Sequence, residues 1–253
     1  MDTDDFFQEI EHTPVPWRQR QLFVPIFYPS IMFMTAAFLV PIAKMRTLLP
    51  SKRLKPYRIT PWHSIFSIAL YRYHESDLGP YNEVLLGVPV TIDEETPLFT
   101  GSLRKLPAEP MTLIQHLPVT TEIAREVGAE FAGYPKFLAD IEFAEEGDWI
   151  TCELRANNQR ILTLKGRKLD LAQCPRFRVY PLTYRRGYIL RSELIISERK
   201  MGTSKRREDV ELVLGEHTIA EELKAMNLGK LASYSYCPQA QGILTPVIES
   251  FAG

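Results

Sequence analysis

The sequence predicts a mainly β fold with a minor helical part, its antiparallel sheets closed into a barrel, and three observations lead there. Short apolar runs recur roughly every ten residues, turn signals separate them, and few stretches carry a helical period. Hairpin spacing of this kind belongs to barrels and sandwiches, whereas a parallel α/β sheet needs strands alternating with long helices.

The chain is read as an N-terminal arm, residues 1–24, and a single domain, residues 25–253. The arm carries an acidic leader, Met1-Asp2-Thr3-Asp4-Asp5, then Pro14, Pro16 and Trp17, and is expected to lie over the body or at a subunit contact. From Gln21 to Ala43 no residue is charged. That length also fits a membrane span, but Pro25, Pro29 and Pro41 interrupt it, and a signal peptide would need a basic start. The stretch is expected to be a core strand, about Ser30–Leu39, running into a short helix that ends near Leu49. Strands follow at Ile65–Tyr73, Tyr81–Thr91, Met111–Val119, Ile150–Asn157, Arg160–Leu169, Arg176–Tyr184, Tyr188–Glu198 and Glu208–Leu214. Asn157-Asn158 and Arg185-Arg186-Gly187 read as hairpin connections. Thr120 or Thr121 is expected to cap a helix reaching Phe131, with Glu122 favourably placed against the dipole. A second helix, His217–Leu228, is expected to stop at a left-handed Gly229.

Charge excludes some functions. With 30 basic and 31 acidic residues the net charge is −1, so no global field draws the chain to nucleic acid or an anionic membrane. The one basic run, Arg199-Lys200-Met201-Gly202-Thr203-Ser204-Lys205-Arg206-Arg207, has no aromatic residue interleaved for base stacking and reads as a solvated hairpin tip. Cys152, Cys174 and Cys237 form no Cys-x-x-Cys pair, which fits a reducing, cytoplasmic setting without disulfides. No histidine pair has metal-ligand spacing, so no metal is expected. There is no phosphate-binding glycine loop, no Gly-x-Ser-x-Gly elbow and no His-Glu-x-x-His helix.

One lysine stands out against this background. Lys136 lies among apolar neighbours in Ala132-Gly133-Tyr134-Pro135-Lys136-Phe137-Leu138. In water only about four lysines in ten thousand are neutral at pH 7, and desolvation raises that fraction, allowing a free amine to condense with a ketone. The alternative is a lysine at a helix C-terminus pointing into solvent.

The run Gly128-Ala129-Glu130-Phe131-Ala132-Gly133-Tyr134-Pro135-Lys136-Phe137-Leu138 resembles the signature of the acetoacetate decarboxylase family, and Gly79-Pro80-Tyr81-Asn82-Glu83 resembles its Gly-x-Tyr-x-Glu segment. The resemblance extends from about residue 25 to the C-terminus and implies that family's barrel or cone-like fold. It also implies a Schiff-base lysine at Lys136 and a catalytic glutamate at Glu83. No cofactor is implied, and a homo-oligomer is. Acetoacetate decarboxylase is the familiar case of a lysine activated by burial or a neighbouring cation. Two departures stand out: Phe137 occupies the place of the family's second lysine, and the expected pocket arginine falls near Ser30 or Ile31, where there is no cation. Tyr134, Phe137, Tyr81 and His74 are the expected pocket residues. For Phe137 the core behind the pocket is an alternative, and for His74 a solvent-facing strand position. The expected function is a Schiff-base lyase decarboxylating a small β-keto acid, with no nucleic acid and no membrane as partner. An imine-dependent aldolase or dehydratase on 2-oxo acids, and a non-catalytic small-molecule binder, are the alternatives.

Overall fold

Seven strands close a barrel in the computed structural model, which describes residues 5–8, 10–95, 111–197 and 199–253. In order around the wall they are Ile26–Pro41, His63–Glu75, Tyr81–Ile92, Met111–Val119, Phe177–Arg185, Leu194–Ile196 and Leu231–Leu244, the last pairing again with the first. These pairings are antiparallel except for Met111–Val119 with Phe177–Arg185, which is parallel. A parallel neighbour requires a long crossover, and the chain from residue 120 to 176 supplies it.

Side chains alternate across a strand, so each wall strand has a lumen face and an outer face. Along Ile26–Pro41, Met32, Met34, Ala36 and Phe38 point outward into the larger core, while Ile31 and Phe33 join a second core on the lumen side. The larger core is completed by a four-stranded antiparallel sheet of Asp140–Glu146, Trp149–Ala156, Gln159–Arg167 and Val210–Leu214. From it Ile150, Leu154, Leu162 and Leu164 bury themselves against the barrel wall. Tyr234 is fully buried at this junction and donates to the Arg167 carbonyl at 3.0 Å. Close approach there requires Gly166, because a Cβ would lie 2.3 Å from the Tyr234 hydroxyl.

The uncharged stretch is therefore a barrel strand. Among the described residues no helix is long and apolar enough to cross a membrane. The expected hairpin turns are present: Asn157 and Asn158 have φ of 51° and 61°, and Arg186 and Gly187 have 51° and 82°. These are the paired left-handed residues that match strand twist.

Within the arm a hairpin, Thr13–Trp17 with Arg20–Val24, packs Trp17 and Leu22 into the second core. Several other expectations are corrected. The strand expected at 188–198 is broken into Tyr188–Arg191 and Leu194–Ile196, since the first half pairs with Glu249–Ala252 and the second closes the barrel. Residue 198 and the leader residues 1–4 lie outside the described residues. The basic run is no hairpin tip: Arg199–Ser204 is a strand paired with Leu231–Leu244, and Arg199 is buried over the Phe177 ring at 4.0 Å. Thr121 stands at the N-cap of the helix Glu122–Phe131 without a capping bond, and Thr120 instead accepts from the Asn82 amide. At the end of the later helix, Thr218–Ala225, the left-handed residue is Asn227, with φ of 57°. Gly229 serves a different purpose, donating its amide to the Leu39 carbonyl at 2.8 Å.

Candidate active site

The lysine-bearing loop is held from both sides. Helix Glu122–Phe131 ends at Gly133, whose φ of 67° turns the chain so that the Tyr134 amide returns to the Gly128 carbonyl at 3.1 Å. The Thr183 hydroxyl donates to the Ala132 carbonyl at 3.0 Å and the Arg185 guanidinium to the Ala129 carbonyl at 2.8 Å, tying the helix end to the barrel. The N-terminal hairpin grips the helix's other face, with Trp17 Nε1 donating to Glu130 at 2.6 Å and Arg18 bridging Glu126 and Glu130. Beyond the turn, Lys136–Leu138 adds a short parallel strand beside Met111–Val119. Alternation then sends Tyr134 and Lys136 to the lumen side.

Glu83 arrives from the opposite direction. On Tyr81–Ile92 its register places it between Tyr71 and Val119, and Tyr81 two residues earlier faces the same side. The Lys136 Nζ lies 2.7 Å from Glu83 Oε2, with side chains 4% and 9% exposed. The contact is an ion pair by distance; Glu83 Oε2 accepts no hydrogen bond. The other carboxylate oxygen, Oε1, accepts from the Tyr73 hydroxyl at 3.3 Å.

Tyrosines enclose the pair. Tyr81 and Tyr134 place their rings 5.6 and 5.8 Å from Nζ, the Tyr73 ring lies tilted 4.5 Å from both Tyr28 and Tyr81, and Tyr71 stacks 5.7 Å from Tyr73. Burial holds the phenols of Tyr28, Tyr71, Tyr73, Tyr81 and Tyr134 protonated well above the ordinary range, the Glu83 charge adds to each, and Ser192 partly opposes the shift at Tyr134. The cage is therefore a set of neutral hydroxyls around one amine and one carboxyl.

Gly128 makes the lysine's position possible. A Cβ there would lie 2.6 Å from Lys136 Cε and 2.7 Å from Cδ, so the aliphatic stem runs across the bare face of the helix. Two cavities flank the amine, about 30 Å³ on the helix side and about 40 Å³ toward the barrel axis, each with room for one to a few waters.

Of the residues expected at the site, the structure brings Lys136, Glu83, Tyr134 and Tyr81 together. It does not bring His74 or Phe137. His74 follows Tyr73 on the same strand, so alternation turns it outward, where it is exposed. Phe137 follows Lys136 and for the same reason packs against the larger core behind the wall. Tyr28, Tyr71 and Tyr73 were missed, although the repeat Tyr71-x-Tyr73 with Tyr81-x-Glu83 was a legible sign of two adjacent strands sharing one face. No cluster of metal-ligating side chains occurs among the described residues.

The family model described as acetoacetate decarboxylase (ADC) matches residues 12–240. The chain belongs to the acetoacetate decarboxylase family. Its fold is shared with the acetoacetate decarboxylase from Legionella pneumophila, at 15% identity and TM-score 0.68, covering 95% of this chain and 92% of that one. The enduracididine biosynthesis enzyme MppR, solved with pyruvate, aligns at 12% identity and TM-score 0.64 over 95% of this chain and 98% of its own. An acetoacetate decarboxylase-like enzyme from Sphingomonas wittichii RW1 aligns at 11% identity and TM-score 0.54, covering 90% and 92%. No curated protein sequence matches the chain. Members of the acetoacetate decarboxylase family are enzymes of the Schiff-base lyase type, and this chain carries the family's barrel with an amine and a carboxyl meeting inside it.

Proposed function

We propose that this family member is a Schiff-base-forming lyase that decarboxylates a β-keto acid, with Lys136 as the nucleophile and Glu83 as the group that moves protons. The observation carrying this reading is the 2.7 Å contact between Nζ and Glu83 Oε2 inside a buried tyrosine cage. A buried ion pair has lost most of its hydration, so handing the proton from nitrogen to carboxylate yields a neutral pair without recreating a desolvated charge. That transfer makes an attacking amine and a carboxylic acid in one step. The amine adds to the substrate ketone, Glu83 supplies the proton that leaves with water, and the resulting iminium withdraws the electrons released as carbon dioxide departs. The enamine is then protonated on carbon and water hydrolyses the imine, returning the lysine.

The residues lining both cavities beside the amine carry no charge other than Lys136 and Glu83 among those described. This favours decarboxylation over aldol or dehydration chemistry on a 2-oxo acid. An aldolase keeps its substrate carboxylate throughout turnover and needs a cation to hold it in a dry site. A decarboxylase expels that charge as a neutral gas, and an unpaired carboxylate in an apolar space is the state it must leave.

The test is borohydride reduction in the presence of acetoacetate or acetone, followed by intact mass and peptide mapping, alongside measurement of carbon dioxide release. A reduced adduct on Lys136 with gas evolution is the expected result. Absence of an adduct with any carbonyl compound would favour the non-catalytic binder, and an adduct without gas release the aldolase-type reading.

A further inference from the structure

We infer that the ketone side of the substrate carries an uncharged, apolar substituent larger than methyl, seated in the barrel lumen beyond Tyr71; the inference rests on the imine reading above and names its substrate class. The space directly at the amine is small, about 30 and 40 Å³ in the two flanking cavities. The lumen continues past it. A third cavity of about 250 Å³ meets the 40 Å³ one across Tyr71, Leu85, Val179 and Leu194, which line both.

A small barrel ordinarily fills its interior with large side chains. Here the strand register sets Ser235 opposite Thr35 and Thr35 opposite Ala69, so three adjacent strands present short side chains in one row, and all three line the cavity. Phe33, Phe177 and Ile196 form much of the remaining wall, and no charged side chain lines it among the described residues. An apolar cavity of about 150 Å³ accepts a benzene, so about 250 Å³ accommodates a phenyl ring or a straight alkyl chain. A carboxylate placed there would have hydroxyls for company and no cation. The helix-side cavity remains for the group that is lost as carbon dioxide.

The reaction balances as R–CO–CH₂–CO₂⁻ plus a proton giving R–CO–CH₃ plus carbon dioxide. The C–N bond of the imine forms with loss of water, the C–C bond to the carboxylate breaks with its electron pair entering the enamine, and hydrolysis returns water's oxygen to the ketone. R is the group in the lumen. The product is thus a methyl ketone, which makes methyl ketones direct probes of the site.

The experiment is borohydride trapping on the full chain with acetone, butanone, longer methyl ketones up to methyl hexyl ketone, and benzylacetone, read as the ketone concentration giving half-maximal adduct on Lys136. Half-saturation is expected to tighten about threefold to fourfold per methylene while the chain fits the lumen, with benzylacetone among the tightest and levulinate no better than acetone. Ala69→Phe, or Thr35→Leu if the first does not fold, is expected to remove the chain-length gradient. Acetone trapped with no gradient, levulinate trapped as well as methyl propyl ketone, or a gradient that persists in a folded filled variant would each overturn the lumen assignment while leaving the imine intact. No adduct with any ketone would instead overturn the imine reading itself.

Discussion

A single hydrogen atom at position 128 decides where the amine of Lys136 rests. Alanine is the better helix former by about 1 kcal/mol, so Gly128→Ala is expected to leave helix Glu122–Phe131 formed. Its methyl group would nevertheless occupy the path of Lys136 Cδ and Cε, and the flexible stem, not the backbone, must move. Trapping efficiency is expected to fall about 100-fold with the far-ultraviolet circular dichroism unchanged, as misplacement by about 1 Å commonly does. The Lys136–Glu83 pair offers a second prediction. Removing one partner strands a buried charge, so Lys136→Met is expected to cost about 3 kcal/mol in denaturant unfolding. Adding Glu83→Gln to that variant removes the stranded charge and is expected to recover most of the loss. Lys136, Glu83, Tyr81 and Tyr134 were legible because a distinctive local motif carries them. Tyr71 and Tyr73 were signalled only by their two-residue repeat beside Tyr81 and Glu83, and Tyr28 by nothing, since no local feature marks that strand tyrosine as facing a lysine far away in sequence.

At the level of elements, the N-terminal hairpin acts as a brace on the helix that carries the lysine loop. Trp17 is buried in the second core and donates to Glu130 on the helix. Trp17→Ala is expected to cost about 3 kcal/mol by lost packing and to lower trapping on Lys136. Trp17→Phe keeps most of the packing and loses only the hydrogen bond, so thermal unfolding of the two variants separates the contributions. Period-two alternation explains both misplaced pocket residues: Phe137 and His74 each sit one position out of phase with a residue that faces the lumen. Strand positions were readable from apolar runs and turn residues. The arm hairpin was obscured by Pro14 and Pro16, which occupy a two-stranded sheet separate from the barrel, and the basic run by charges that conceal a strand whose first residue is buried.

The molecule as a whole buries a layer of phenols at its centre, and this has a pH signature. Burial raises the folded values for Tyr28, Tyr71, Tyr73, Tyr81 and Tyr134 above the unfolded value near 10, so their contribution to stability is complete below about pH 10 and is lost as pH rises beyond it. Each tyrosine that titrates only on unfolding adds about 1.4 kcal/mol per pH unit to the loss. In an alkaline titration followed by tyrosinate absorbance and circular dichroism, these five are expected to ionise together with unfolding. A native-state titration of all tyrosines near pH 10 would contradict the closed cage. The same closure gives two large cores, one between wall and outer sheet and one on the lumen side, and a smaller cluster of Ile114, Leu117, Ala132 and Tyr134 beside the lysine loop.

The sequence by itself determined the fold class, most strands, the hairpin turns and the choice of Lys136 and Glu83 as candidate site residues, because these depend on local alternation, turn chemistry and short motifs. Only the tertiary structure decided which faces meet. The parallel seam, the tyrosine cage, the helix glycine beneath the lysine and the lumen beyond Tyr71 all follow from strand register across long sequence separations. A one-residue shift in that register turns every side chain of a strand to the other face, and no local pattern specifies it.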